Sequence, residues 1–153
     1  MKSSHIFASG ALALVIGTGA VLADPIRDAI DARQAQFTLF AYNIGPLVQM
    51  AQGDIDYDSE IAQRSADNLA ALTHTHQDRH WPEGSDNASV DNTRALPSIW
   101  EDAEDFASKF ADLRAATAAI QEAAGQDLAS QQGALGPVGN ACAACHDANR
   151  AEE

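Results

Sequence analysis

The chain has 153 residues, 46% of them hydrophobic, with 22 Asp and Glu against 9 Lys and Arg and a formal net charge of −13. That length supports one domain with a real core and gives no reason to expect a second. A field of this sign repels phosphate backbones and anionic lipid surfaces, which argues against nucleic-acid and membrane-surface partners while permitting a basic partner protein.

The first segment reads as a secretory signal peptide. Met1 and Lys2 give a short positive start, Ile6 to Val21 is apolar and rich in Ala, Leu and Gly, and Val21-Leu22-Ala23 puts small residues at the −3 and −1 positions of a cleavage site. The stretch is too short and too glycine-interrupted for a convincing membrane span, although an uncleaved anchor is the alternative. Cleavage after Ala23 leaves a mature domain of residues 24–153 outside the cytoplasm. Lys2 leaves with the signal, so the mature charge is one unit more negative.

Four helices follow, with no convincing strand. The first runs from about Pro25 to Ala51, with proline in its first turn, where its missing N–H costs nothing. Ile26, Ile30, Arg33, Phe37, Ile44 and Val48 share one helical stripe. Gly45-Pro46 predicts a bend or a lost hydrogen bond, and Gly53 a C-cap. The second runs from about Ser59 to Asp78, with Asp58 as N-cap and Ile61, Leu69 and Leu72 as its apolar face. A polar loop, His80 to Leu96, holds Pro82, Gly84, Ser85, Asn87 and Asn92. The third helix runs from about Asp102 to Ala124 with Phe106, Phe110, Leu113, Thr117 and Ile120 at helical spacing, and acidic residues in its first turn complement the dipole. The fourth runs from about Asp127 to Arg150, with Gly136-Pro137 as a second expected kink. Four such helices joined mostly by short connections predict an all-α, antiparallel four-helix bundle.

The last helix carries the most specific chemistry. Residues 142–146 read Cys-Ala-Ala-Cys-His, the pattern of covalent c-type haem attachment. On a helix Cys142 and Cys145 share a face, so both sulfurs reach the two vinyl groups of one haem, and His146 follows as the axial iron ligand. A dithiol redox pair or half of a zinc site are the competing readings. The chain has 2 cysteines in all, which leaves no second thiol pair for zinc, and the surroundings are helical rather than βαβ. Extracytoplasmic haem attachment and the signal peptide support each other.

Beyond that motif the chain resembles the cytochrome c-prime family of class II c-type cytochromes. The resemblance rests on Arg33-Gln34 in the first helix, Pro97 with Trp100 ahead of the third, Gly136-Pro137-Val138-Gly139, and Cys142 to Asp147 with Arg150 four residues after His146. It departs at Asn149, where members commonly carry an aromatic residue. The resemblance implies a periplasmic protein, often a homodimer, with one haem c that is high-spin and pentacoordinate, His146 being the only protein ligand. It places Phe37 over the distal side of the iron, Arg33 toward a haem propionate, Gln34 beside it, and Arg150 at the border of the proximal pocket. Phe37, one turn after Arg33, cannot ligate iron.

Met50, the one methionine left after signal removal, is the rival sixth ligand, but its helical phase sets it on the opposite side from Phe37. His74, His76 and His80 have spacing that can hold Zn²⁺ or Cu²⁺ but no clear third ligand. Two functions compete: binding of a diatomic gas, nitric oxide or carbon monoxide, for sequestration or detoxification, and electron transfer with a periplasmic redox partner. An enzymatic role such as peroxidase is weaker, since only Gln34 or Gln36 could supply polar distal groups.

Overall fold

The computed structural model describes residues 24–152; the segment read as a signal peptide lies outside them. The described residues form five helices: α1 (Pro25–Gln52), α2 (Ser59–Thr73), α3 (Ser98–Glu101), α4 (Ala103–Ala123) and α5 (Leu128–Asn149). The four long ones form the expected bundle, and among the described residues the sole β feature is an isolated antiparallel bridge between Ala95 and Arg150.

Each long helix begins on an aspartate that accepts backbone N–H groups: Asp24 from Ile26 and Arg27, Asp58 from Glu60 and Ile61, Asp102 from Asp105, and Asp127 from Ser130. These caps satisfy donors that have no partner inside the helix. Gly53 closes α1 with φ +78, a left-handed conformation that glycine adopts without a Cβ penalty.

The lost hydrogen bond predicted at Gly45-Pro46 is present without a break in the helix, and two boundaries differ from the sequence reading. Pro46 and Pro137 both lie inside uninterrupted helices. The carbonyls they leave unbonded belong to the exposed residues Tyr42 and Gly133, where water can satisfy them. α2 stops at Thr73 instead of Asp78 because the Leu72 carbonyl accepts the Thr75 hydroxyl (2.8 Å) and Gln36 Nε2 from α1 (2.9 Å). Local hydroxyl bonding of this kind competes with helix continuation. The short α3 lies between the expected loop and the third helix, where the sequence reading assigns no element.

The core is a cluster of Leu47, Met50, Ala62, Ala66, Leu69, Ala116, Ile120, Ala124 and Val138, all buried. The buried stripe of α1 is Ala29, Ile30, Arg33, Gln36, Asn43, Leu47 and Met50, which leaves Phe37 to one side of it at 38% exposure. On α2, Ile61 faces outward and small residues make the contact instead. Gln131 Nε2 on α5 donates to Leu47 O (2.6 Å), and Gln132 Nε2 to Ala51 O (2.8 Å). These bonds pair the end of α1 with the start of α5, so the two helices run antiparallel. At 1.5 Å per residue, Phe37 lies about 15 Å up α1 from this pairing, and the Cys142–His146 motif about 16–22 Å up α5. Phe37 and the motif therefore occupy the same end of the bundle, with Met50 at the other.

Candidate haem site

Cys142 and Cys145 are free and half-buried on α5; Cys142 packs against the core cluster, and Cys145 lies within electrostatic reach of Lys109 and Asp105 on α4. Burial pushes both thiols above the ordinary value; at Cys145, Asn149 and Lys109 oppose the rise. Thiols in this state are protonated at neutral pH, inert as a dithiol redox pair. They retain the S–H that adds across a vinyl group, sulfur bonding to one carbon and hydrogen to the other. The donor set of two unpaired thiols on one helical face and an adjacent imidazole fits a c-type haem. Among the described residues no group of three or more His, Cys, Asp or Glu is arranged to hold a metal ion. His74 and His76 are exposed, and His80 Nδ1 lies 3.3 Å from Gln77 Oε1.

His146 is held through its other nitrogen. Arg150 Nη1 approaches His146 Nδ1 at 3.2 Å. A guanidinium only donates, so Nδ1 accepts here and the proton sits on Nε2. Ligation through Nε2 requires the opposite tautomer, with the proton on Nδ1, and the Arg150 contact must then loosen. Desolvation and the Arg150 cation together hold the imidazole below its ordinary pKa. A cleft of about 420 Å³ on this side is lined by Arg94, His146, Asp147, Arg150, Ala151 and Glu152.

The end of α5 is stitched to the segment before α3. Leu96 N donates to Asn149 O (2.9 Å), Ala151 N to Arg94 O (2.8 Å), and Ser98 Oγ to Ala148 O (2.9 Å) and Asn149 Oδ1 (3.0 Å). Asn149 is 5% exposed. The family's aromatic is thus replaced by a buried amide whose oxygen is used in this seam.

Arg33 narrows the propionate role expected for it. The side chain is 2% exposed, and its terminal nitrogens donate to Ser85 O (2.5 Å), Ser85 Oγ (2.8 Å), Thr93 Oγ1 (2.6 Å) and His80 O (3.3 Å). Four of its five N–H groups thus serve the loop, which leaves Nε–H for a carboxylate. Burial lowers its pKa and Asp86 opposes the shift. Gln34 works beside it: Nε2 donates to Asn92 O (2.6 Å), the residue at φ +65 that turns the loop. Gln36 is 7% exposed and committed to Leu72 O and Thr75 Oγ1 (2.7 Å). Neither glutamine is free to serve as a distal acid or base. Arg33→Met should lower stability by about 3 kcal/mol by leaving buried oxygens without donors. Denaturant unfolding checks this, and a loss under about 1 kcal/mol would contradict the assigned bonds.

The sequence reading did not anticipate the ring cluster at this end. Trp81 packs edge-on to Phe106 (centroids 4.9 Å), Phe37 (6.3 Å) and Trp100 (6.4 Å), and Phe40 lies 6.0 Å from Phe37. The signal for it was the density of aromatics on either side of a loop read as polar.

The model of the family described as Cytochrome C' matches residues 28–150. Cytochrome c-554 of Cereibacter sphaeroides is 41% identical over 128 residues, covering 84% of this chain and 96% of that protein. Cytochrome c' of Halomonas halodenitrificans is 36% identical over 130 residues, covering 82% and 97%. Among solved structures, cytochrome c' from Rhodobacter sphaeroides superposes with a TM-score of 0.83 at 34% identity, covering 86% of this chain and all of that one. The nitric oxide complex of a variant of cytochrome c prime from Alcaligenes xylosoxidans gives 0.73 at 30% identity, covering 85% and 98%. A four-helix bundle ending in paired thiols and an imidazole, matched along nearly all of its described length, makes this chain a member of the cytochrome c' family, whose cofactor is one c-type haem.

Proposed function

We propose that this protein is a periplasmic gas-binding haem protein without enzymatic activity, which takes nitric oxide for sequestration or detoxification. Its domain is residues 24–153, left after removal of a signal peptide. The observation that carries the reading is the position of Phe37 at the haem end of the bundle, with Met50, 1% exposed, packed into the core at the other end. The haem, when bound, supplies an iron centre with affinity for diatomic gases. His146 is the one side chain of the motif able to ligate it, through Nε2. Phe37 offers bulk without a ligating atom or a hydrogen bond on the distal side, and Gln34 and Gln36 are both engaged elsewhere. Arg33 through Nε–H is assigned to a propionate, and Arg150 to the border of the proximal side.

The nitric oxide complex of the neighbouring cytochrome c prime supports the same reading. No helix among the described residues is long and apolar enough to cross a membrane. A homodimer belongs to the proposal, supported by Leu39 and Tyr42, which stand 49% and 76% exposed on α1. Electron transfer with a periplasmic redox partner is the rival; a methionine ligand is its usual support, and Met50 is too far from the motif to supply one.

Titrating the ferrous protein with nitric oxide tests the reading. A saturable spectral change is expected, with none of comparable strength for oxygen. No change with nitric oxide would overturn it. In Arg150→Ala the binding or release rate should change by more than about threefold while stability moves by less than about 0.5 kcal/mol, as for an exposed residue near a helix end. Unaltered rates would reduce Arg150 to a surface charge.

A further inference from the structure

α1 fixes the backbone of Phe37, which is 38% exposed, and leaves the rotamer of its ring to the side chains around it. Two rings touch it. Phe40, at 6.0 Å, stands on the same helix and gives no outside constraint. Trp81, at 6.3 Å and 67°, comes from the connection between α2 and α3 and approaches edge-on.

Trp81 is itself held by three other elements. Arg33 Cζ sits 4.6 Å above its ring, a cation–π contact strengthened by burial. Phe106 on α4 meets it at 4.9 Å and 68°, and Trp100 on α3 at 6.4 Å and 61°. Trp100 Nε1 also donates to Trp81 O at 3.1 Å. The indole Nε1 of Trp81 is buried with no hydrogen-bond partner, so ring contacts, not a polar tether, fix this side chain. Arg33 and Phe37 are one helical turn apart, which lets α1 grip Trp81 with the first and rest the second against it.

We propose that Trp81 is a specificity-determining residue for gas ligands, the wedge that keeps Phe37 over the distal side, with Arg33 as its positioning residue. The proposal rests on the gas-binding reading. A ligand entering on the distal side must displace the Phe37 ring, and displacement toward a wall anchored to α1, α3 and α4 costs more than displacement toward solvent. Carbon monoxide, which binds weakly enough to register that cost, is selected against. Nitric oxide, with far higher intrinsic affinity for ferrous haem, still binds.

The test is a cycle of carbon monoxide association rates on the ferrous holoprotein: wild type, Trp81→Ala, Phe37→Ala and the double variant, with Trp81→Phe as the conservative replacement and Trp81→Leu if the alanine variant fails to fold. Trp81→Ala is expected to raise the rate about fivefold, the size of one lost aromatic edge contact. Trp81→Phe should stay near wild type. In the Phe37→Ala background, removing Trp81 should change the rate by less than about twofold, because its effect passes through Phe37. Crystal structures of the haem-loaded Trp81→Ala protein should show Phe37 in a second rotamer. An equal rise with and without Phe37 would overturn the proposal by showing general loosening, as would no rise where Phe37→Ala alone gives one. If Phe37→Ala leaves the rate unchanged, the distal reading itself fails. The rotamer then decides the wedge separately, and an unmoved Phe37 ring in Trp81→Ala overturns it.

Discussion

Replacing Cys142 and Cys145 together with alanine leaves haem that acid-acetone removes completely, whereas the wild-type protein keeps its haem through the same extraction. The difference is all or none, because the chain has no other cysteine to form a thioether. The two thiols are prepared for attachment by their position on one face of α5 and by burial that keeps them protonated. Haem retained covalently by the double variant would refute the assignment. The variant should also unfold at lower denaturant concentration, since a group bound only by the folded state stabilises that state by mass action.

Phe37→Ala raises the affinity and association rate for carbon monoxide, with each 1.4 kcal/mol of relieved crowding equivalent to about tenfold. Phe37→Met moves the iron toward six-coordinate low spin, because a thioether then stands where a ring stood. Absorption spectra and carbon monoxide titration read both outcomes. A Phe37→Ala protein with wild-type carbon monoxide affinity would mean that the ring does not cover the distal side.

The bundle was legible because four signals agreed along the chain: the aspartate cap at Asp58, helical spacing of apolar residues, Gly53 as a terminator, and the terminal motif; the caps at Asp24, Asp102 and Asp127 emerge only in the structure. The haem motif was legible because its spacing is dictated by covalent geometry. Helix periodicity went astray where it ranked residues by hydrophobicity. It placed Phe37 on the stripe of α1 with Arg33, whereas the buried positions there pair Arg33 with the polar Gln36 and Asn43 and leave Phe37 to one side. Those side chains are buried because partners distant in sequence satisfy them, Ser85 and Thr93 for Arg33 and Leu72 for Gln36. The loop bonds of Arg33 and the wedge of Trp81 were hidden for the same reason. Each depends on contacts across about 50 residues of chain, which no local pattern encodes.

The coordination of the iron in the untouched protein tests the central claim most directly. Absorption and paramagnetic resonance spectra of the purified holoprotein should show a high-spin, five-coordinate haem, with His146 as the protein ligand and Phe37 opposite. A low-spin spectrum carrying a methionine-to-iron charge-transfer band would contradict the account: it would require Met50 to leave the core and would make the protein an electron carrier.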